Sequence, residues 1–272
     1  MEDRIRLVIA DGIADVTLAR PSKLNALDPA MFKAIAEVGA QLSQNKSVRA
    51  VVLSGEGRGF CAGLDLERMK AIGHGEPLLP FADLTERTHG IANFAQHIVW
   101  QWRELQVPVI AAVHGFAFGG GFQLALGADM RFAAPGTRFS VLEASWGLIP
   151  DMAGMYLMRS LAREDVVREL TYTARVFSAE EAVGFGFVTR LVEDPHAVAM
   201  AVAGEIASRS PDAIRAAKRL LNLGTAIDAA ALLAAETAEQ RRLIGSANQV
   251  EAVRANLENR LPRFADPVAV VA

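Results

Sequence analysis

The stretch Val109-Ile110-Ala111-Ala112-Val113-His114-Gly115-Phe116-Ala117-Phe118-Gly119-Gly120-Gly121-Phe122-Gln123 decides the fold. An apolar run of strand length passes through a glycine-bearing loop into a helix-like segment. Upstream, Ala50-Val51-Val52-Leu53 leads in the same way to Gly59-Phe60-Cys61-Ala62-Gly63-Leu64-Asp65-Leu66. Runs that are apolar at every position suit strands covered on both faces. Strands alternating with helices predict α/β architecture, although no residue-level repeat is visible. Glycine lets backbone approach a ligand closely. Two such loops can aim two amide N–H groups at one oxygen, as an oxyanion requires. The expected chemistry is therefore enolate formation on a carbonyl compound.

Working outward, residues 4–9 and 13–18 read as strands joined by Asp11-Gly12, a hairpin signal. Asp28 is the expected N-cap of a helix with Pro29 at its first position, and Met31, Ile35, Val38 and Leu42 give that helix one apolar face. Strand 49–54 precedes the first glycine loop, and a helix is expected over 64–71. Residues 72–90, with Gly73, Gly75, Pro77 and Pro80, read as a lid or substrate loop. Within 66–84, Leu66, Met69, Leu78, Leu79, Phe81 and Leu84 are candidates to line an apolar pocket. Further helices are expected over 93–106 and 121–128. Strands are expected over 108–113 and 129–133, with an extended segment over 138–142 ending at Glu143. After residue 195 the pattern becomes Ala-rich and helical (197–209, 211–222, 226–244, 246–258). The expected division is 1–195 as core and 196–272 as a helical, self-associating region. Residues 266–272 read as frayed or strand-like.

The chain has 272 residues and a net charge of −3. With both signs scattered and no basic stripe, no nucleic-acid partner is expected. The single cysteine, Cys61, admits no internal disulfide and fits a reduced, cytoplasmic setting. No apolar signal core follows Met1-Glu2-Asp3-Arg4. Residues 107–127 carry no formal charge, but they hold Pro108, His114, Gln123 and several glycines. They suit a buried strand–loop–helix unit, and no membrane span is expected. Cys61 reads as a packed residue, because no histidine is placed to activate it. His114 is expected to satisfy local backbone. His89 and His97 read as too far apart for a metal pair on one face, and no metal is expected.

The chain resembles the crotonase superfamily, the enoyl-CoA hydratase/isomerase group. The resemblance is carried in series by Arg20-Pro21-Ser22-Lys23-Leu24-Asn25-Ala26-Leu27, the 60–66 loop, Val113 to Gly121 and Phe139 to Pro150 with Glu143 inside it. Phe177 to Ala182 and Asn259-Arg260 with Phe264 also fit. It implies a spiral of ββα turns with a C-terminal α-helical trimerisation region, assembled as a homotrimer or homohexamer. It implies an acyl-CoA substrate of fatty acid metabolism, and no cofactor beyond the CoA of the substrate. By motif position the amides of Leu64 and Gly120 would form the oxyanion hole. Lys23, Leu24, Ala26, Ala62, Gly63, Asp65, Leu66, Gln123 and Phe264 would contact substrate or CoA.

Where hydratases of this family use two glutamates on a water, the second falls on Glu143 and the first on Gln123, which takes no proton at neutral pH. Asp151 matches the aspartate that partners the glutamate in dienoyl-CoA isomerases, which carry a further acid at 123. Two readings of Asp151 stand open, a catalytic acid and a helix N-cap. The pair Glu143 and Asp151 favours double-bond migration over hydration. A hydratase with a water held by Gln123, thioester hydrolysis or decarboxylation on the same scaffold, and a noncatalytic acyl-CoA binder are the alternatives.

Overall fold

A computed structural model describes residues 4–224 and 227–267. The chain begins with a hairpin, β1 (Ile5–Ala10) and β2 (Ile13–Leu18), paired antiparallel with Ala10 opposite Ile13. Asp11 and Gly12 both take positive φ, 50° and 76°, which is the backbone of a type I′ turn. A helix, α1 (Pro29–Gln44), follows. The Asp28 carboxylate accepts from the Met31 amide at its start, and Met31, Ile35, Val38 and Leu42 are all buried.

Strands β3 (Ala50–Gly55), β4 (Val109–Val113), β6 (Met130–Ala133) and β9 (Arg190–Leu191) then add in parallel, giving a six-stranded sheet ordered β1-β2-β3-β4-β6-β9. Period-two alternation assigns each strand residue to a face. Val51, Leu53, Val109, Ala111 and Val113 join the large core with α1 and α3 (Phe94–Glu104). Ala50, Val52, Ile110, Ala112 and Phe132 form a second core with Ala199 and Ala203 of α8 (Pro195–Ala207). Packing therefore continues across residue 195, because the first tail helix covers the outer face of the sheet. The next helix, α9 (Pro211–Leu223), inserts Lys218, whose ammonium donates to the carbonyls of Trp102 and Val107 and pairs with Asp129 at 2.8 Å. Helices α10 (Ala229–Leu243) and α11 (Ala247–Leu257) complete the tail. Residues 268–272, expected to be frayed or strand-like, lie outside the described residues, as does residue 226 at the expected start of α10.

A second sheet, β5-β7-β8, consists of Phe116–Phe118, Arg138–Ser140 and Val176–Ser178. Its first strand lies inside what reads from sequence as a loop, since three residues between positive-φ Gly115 and Gly119 give no run to detect. It carries α4 (Gly120–Leu126), anchored by Phe122 edge-on to Phe139, Phe177 and Phe187. Helix α2 (Leu66–Gly73) begins two residues later than expected, because Asp65 caps it through the Glu67 amide. Among the described residues no helix is long and apolar enough to cross a membrane.

Candidate active site

The two glycine loops leave the carboxyl ends of adjacent parallel strands, where open α/β sheets hold their ligands. They are hydrogen-bonded to each other: the Phe60 amide donates to Phe116 O at 3.0 Å, and the Phe118 amide donates to Cys61 O at 3.0 Å. A Cβ on Gly121 would run into the Cys61 carbonyl, so only glycine permits this approach. Gly63 has φ +89°, and a Cβ there would lie 2.6 Å from Phe118 O and 3.5 Å from the Gly120 nitrogen. Buried Asn25 fastens the first loop from below. Its Nδ2 donates to Glu56 O and Gly59 O at 2.9 and 3.0 Å, and its Oδ1 accepts from the Arg20 amide.

Leu27 donates to Gly63 O and accepts from the Asp65 amide, so the intervening Leu64 amide turns to the opposite side. Gly120 opens α4, where a first-turn amide has no carbonyl of its own helix to meet. Both residues line one cavity of about 340 Å³. Its wall is otherwise apolar, with Leu27, Phe32, Met69, Leu78, Trp146, Ile149 and Met152, and among the described residues its only carboxylates are Glu143 and Asp151.

Glu143 sits in a 3-10 turn after β7 and is 9% exposed. Its Oε1 accepts from Gln123 Nε2 at 2.6 Å, while its Oε2 is buried with no partner among the described residues. Burial pushes its carboxyl above the ordinary range. Its own amide and the Gln123 bond pull the other way, and the charge of Asp151 adds to the rise. Burial also raises Asp151, opposed by its own backbone amide. Helix α5 (Gly154–Leu161) starts at an Ala153 cap with no side-chain capping bond, so Asp151 does not act as the N-cap.

Of the expected contacts, Ala62, Gly63, Leu64, Leu66, Gly120, Glu143 and Asp151 line the cavity, as do Met69, Leu78 and Leu84. The others lie outside that wall. Gln123 is 1% exposed and lies behind the wall, its Oε1 accepting from the amides of Met152 and Gly154 at 2.9 and 3.0 Å. Asp65 has one oxygen on the Glu67 amide and the other on Arg20 at 2.5 Å, so it is a cap and an ion-pair partner. Ala26 is buried, and its carbonyl accepts from Arg20. Lys23 is exposed in the turn before Leu24. Leu24 lines a neighbouring cavity with Arg58, Phe116, Phe118, Arg138 and Ala62, and Ala62 is common to both cavities. Phe264 lies outside the cavity wall. The tail around it is tied by Asp266 to Arg49, at the opposite end of β3, and by Ala265 to Asn248 of α11. Leu79 belongs to the core, and Phe81 packs edge-on to Phe94.

His89 and His97 are not far apart. Their rings stack at 3.8 Å because His89 folds back from a loop onto α3, and burial with the charge of His89 pushes His97 down to about 4. His114 meets Gly57 O at 2.9 Å, and Cys61 is buried, its thiol pushed up to about 12. Asn25 and the roles of Trp146, Leu148, Ile149 and Met152 in the wall were missed by the sequence reading. The apolar run around Leu148-Ile149, placed directly after Glu143, was the available signal.

A model of the enoyl-CoA hydratase/isomerase family matches residues 8–267. The chain belongs to that family. It is 37% identical over 264 residues to a Mycobacterium bovis protein named probable enoyl-CoA hydratase echA12, covering 93% of this chain and 90% of that one. It is 32% identical over 259 residues to the mitochondrial Delta(3,5)-Delta(2,4)-dienoyl-CoA isomerase of Homo sapiens, covering 91% and 77%. An enoyl-CoA hydratase structure from Bacillus anthracis superposes with a TM-score of 0.85 at 27% identity, covering 97% of this chain and all of that one (100%). The fold is thus the crotonase fold, and the chain is a crotonase-type enzyme, an isomerase or hydro-lyase.

Proposed function

We propose that this family member migrates a double bond in an apolar enoyl-CoA or dienoyl-CoA. One observation carries the reading: Glu143 and Asp151 face one apolar cavity with Leu64 and Gly120, while position 123 is an amide outside the wall. In a 3-enoyl thioester, Glu143 takes the α-proton. The Leu64 and Gly120 amides hold the charge that moves to the thioester oxygen, each donor lowering the barrier by about 3–4 kcal/mol. Asp151, whose hold on a proton burial strengthens, returns a proton at the γ-carbon, and exchange with solvent restores both acids. Two carboxyls in one largely apolar cavity disfavour double ionisation, which suits one base and one acid. The adjoining cavity with Arg58 and Arg138 offers cations to the CoA phosphates. No cofactor beyond that CoA is required, since only protons move.

Exposed Leu221, Leu233, Ile244 and Leu257 on the helical tail support assembly as a homotrimer or homohexamer, and a cytoplasmic setting completes the reading. Hydration is the second reading, favoured by the hydratase names among the relatives. Incubation with 3-enoyl-CoA and crotonyl-CoA in deuterated water separates them. Migration should place deuterium at the γ-carbon and be lost in Glu143→Gln, which should still bind acyl-CoA. A 3-hydroxyacyl product without migration refutes the proposal, and binding without turnover identifies a noncatalytic binder.

A further inference from the structure

We infer that Gln123 is a positioning residue, which fixes Glu143 in one orientation, ties it to the backbone carrying Asp151, and takes no part in water chemistry. The inference rests on the reading of Glu143 as the proton carrier. Amide orientation is decided by the partners. Two backbone N–H groups, from Met152 and Gly154, converge on one terminal atom of Gln123, and only the carbonyl oxygen can accept them. The amide cannot flip, so Nε2 must face Glu143 Oε1, where it can only donate. A donor at 2.6 Å favours the carboxylate over the acid and occupies Oε1. Glu143 Oε2, buried without a partner among the described residues, is then the atom left to take a proton.

Met152 directly follows Asp151, so one side chain spans both acids of the cavity. It does so from behind. Gln123 is 1% exposed, and even a Cβ on Gly154 would come within 2.5 Å of its Oε1. A glutamate at 123 would keep one oxygen on the two amides and set the other against Glu143 Oε1. The two carboxyls would share a proton, and no new base would reach the cavity.

The test is titration of the Glu143 carboxyl carbon in full-length protein labelled with ¹³C-glutamate, the signal being identified by its loss in Glu143→Gln. Gln123→Met removes the donor at similar volume, and Gln123→Glu retains an acceptor for the two amides. Melting curves check that both fold. The Glu143 midpoint should rise by about one pH unit or more in Gln123→Met and further in Gln123→Glu. With 3-enoyl-CoA, the pH at which kcat reaches half its plateau should rise in step with the midpoint, while KM stays within about two-fold. An unmoved midpoint in both folded variants overturns the inference. So does a tenfold or greater gain of crotonyl-CoA hydration in Gln123→Glu, because position 123 would then reach substrate. The titration needs no turnover, so an inactive wild type would overturn the isomerase reading alone.

Discussion

Replacing Gly63 by alanine should silence the site while leaving the fold standing. The added methyl has two effects. The first is local: φ at Gly63 is +89°, where a side chain costs about 1–2 kcal/mol. The second concerns the pair of loops. The new Cβ would sit 2.6 Å from Phe118 O, a backbone atom that cannot swing aside. Carbon needs well over 3 Å from such a neighbour, so the loops must part by roughly half an ångström or more. They part where the Gly120 nitrogen lies 3.5 Å from the same Cβ, so the spacing of the Leu64 and Gly120 amides is lost with it. Loss of one such donor costs about 3–4 kcal/mol, a fall of roughly 10²–10³ in kcat.

Gly90→Ala is the matched control. Its φ is +61° with nothing within 4 Å of the new methyl, so it carries the backbone cost alone. Both variants should lose several degrees in melting temperature, and only Gly63→Ala should lose turnover of 3-enoyl-CoA. If Gly63→Ala keeps kcat within about three-fold of wild type, the paired-amide reading fails.

Stability should depend on pH through the two cavity acids. Their folded pKa values lie above the unfolded ones, so the stability they contribute is present below the ordinary carboxylate range and is lost as pH rises through the raised folded values. The double variant Glu143→Gln/Asp151→Asn should flatten that slope in thermal melts from acid to neutral pH, and an unchanged slope would contradict it. Acyl length should matter too. A dry cavity of about 150 Å³ takes one benzene, so about 340 Å³ takes on the order of a dozen carbons. At about 0.8 kcal/mol per buried methylene, kcat/KM should rise roughly 10²-fold from four-carbon to eight-carbon substrates. A flat chain-length series would show that the acyl tail lies elsewhere.

Much of this was legible in the residues. Asp11-Gly12 signalled the hairpin and Asp28-Pro29 the start of α1, since turn and cap preferences act within a few residues. The unbroken apolar runs of β3 and β4 announced strands covered on both faces, and Glu143 followed from its place in a motif. What stayed hidden depends on distant partners. Gln123 is oriented by amides 29 and 31 residues away. Asp65 matched a substrate-binding position by alignment, yet its pairing with Arg20 lies 45 residues back, and its capping of α2 was the local signal passed over. Strand β5 is too short to show a period, and its distant partners, Arg138 to Ser140 and Cys61, define it.

The seating of Lys218 sets an order on biosynthesis. Its carbonyl partners at Trp102 and Val107 leave the ribosome 116 and 111 residues before it does, and the Ala199–Ala203 patch likewise arrives long after the strands it shields. Until then a nascent chain already holding every group of the acyl cavity has one bare, greasy flank and one unplugged seam. Such long-range closure is slow and leaves the half-made chain prone to clumping. The tail is thus the last stitch of the folding reaction, and a chain stopped before it would be a client for chaperones with its chemistry fully encoded.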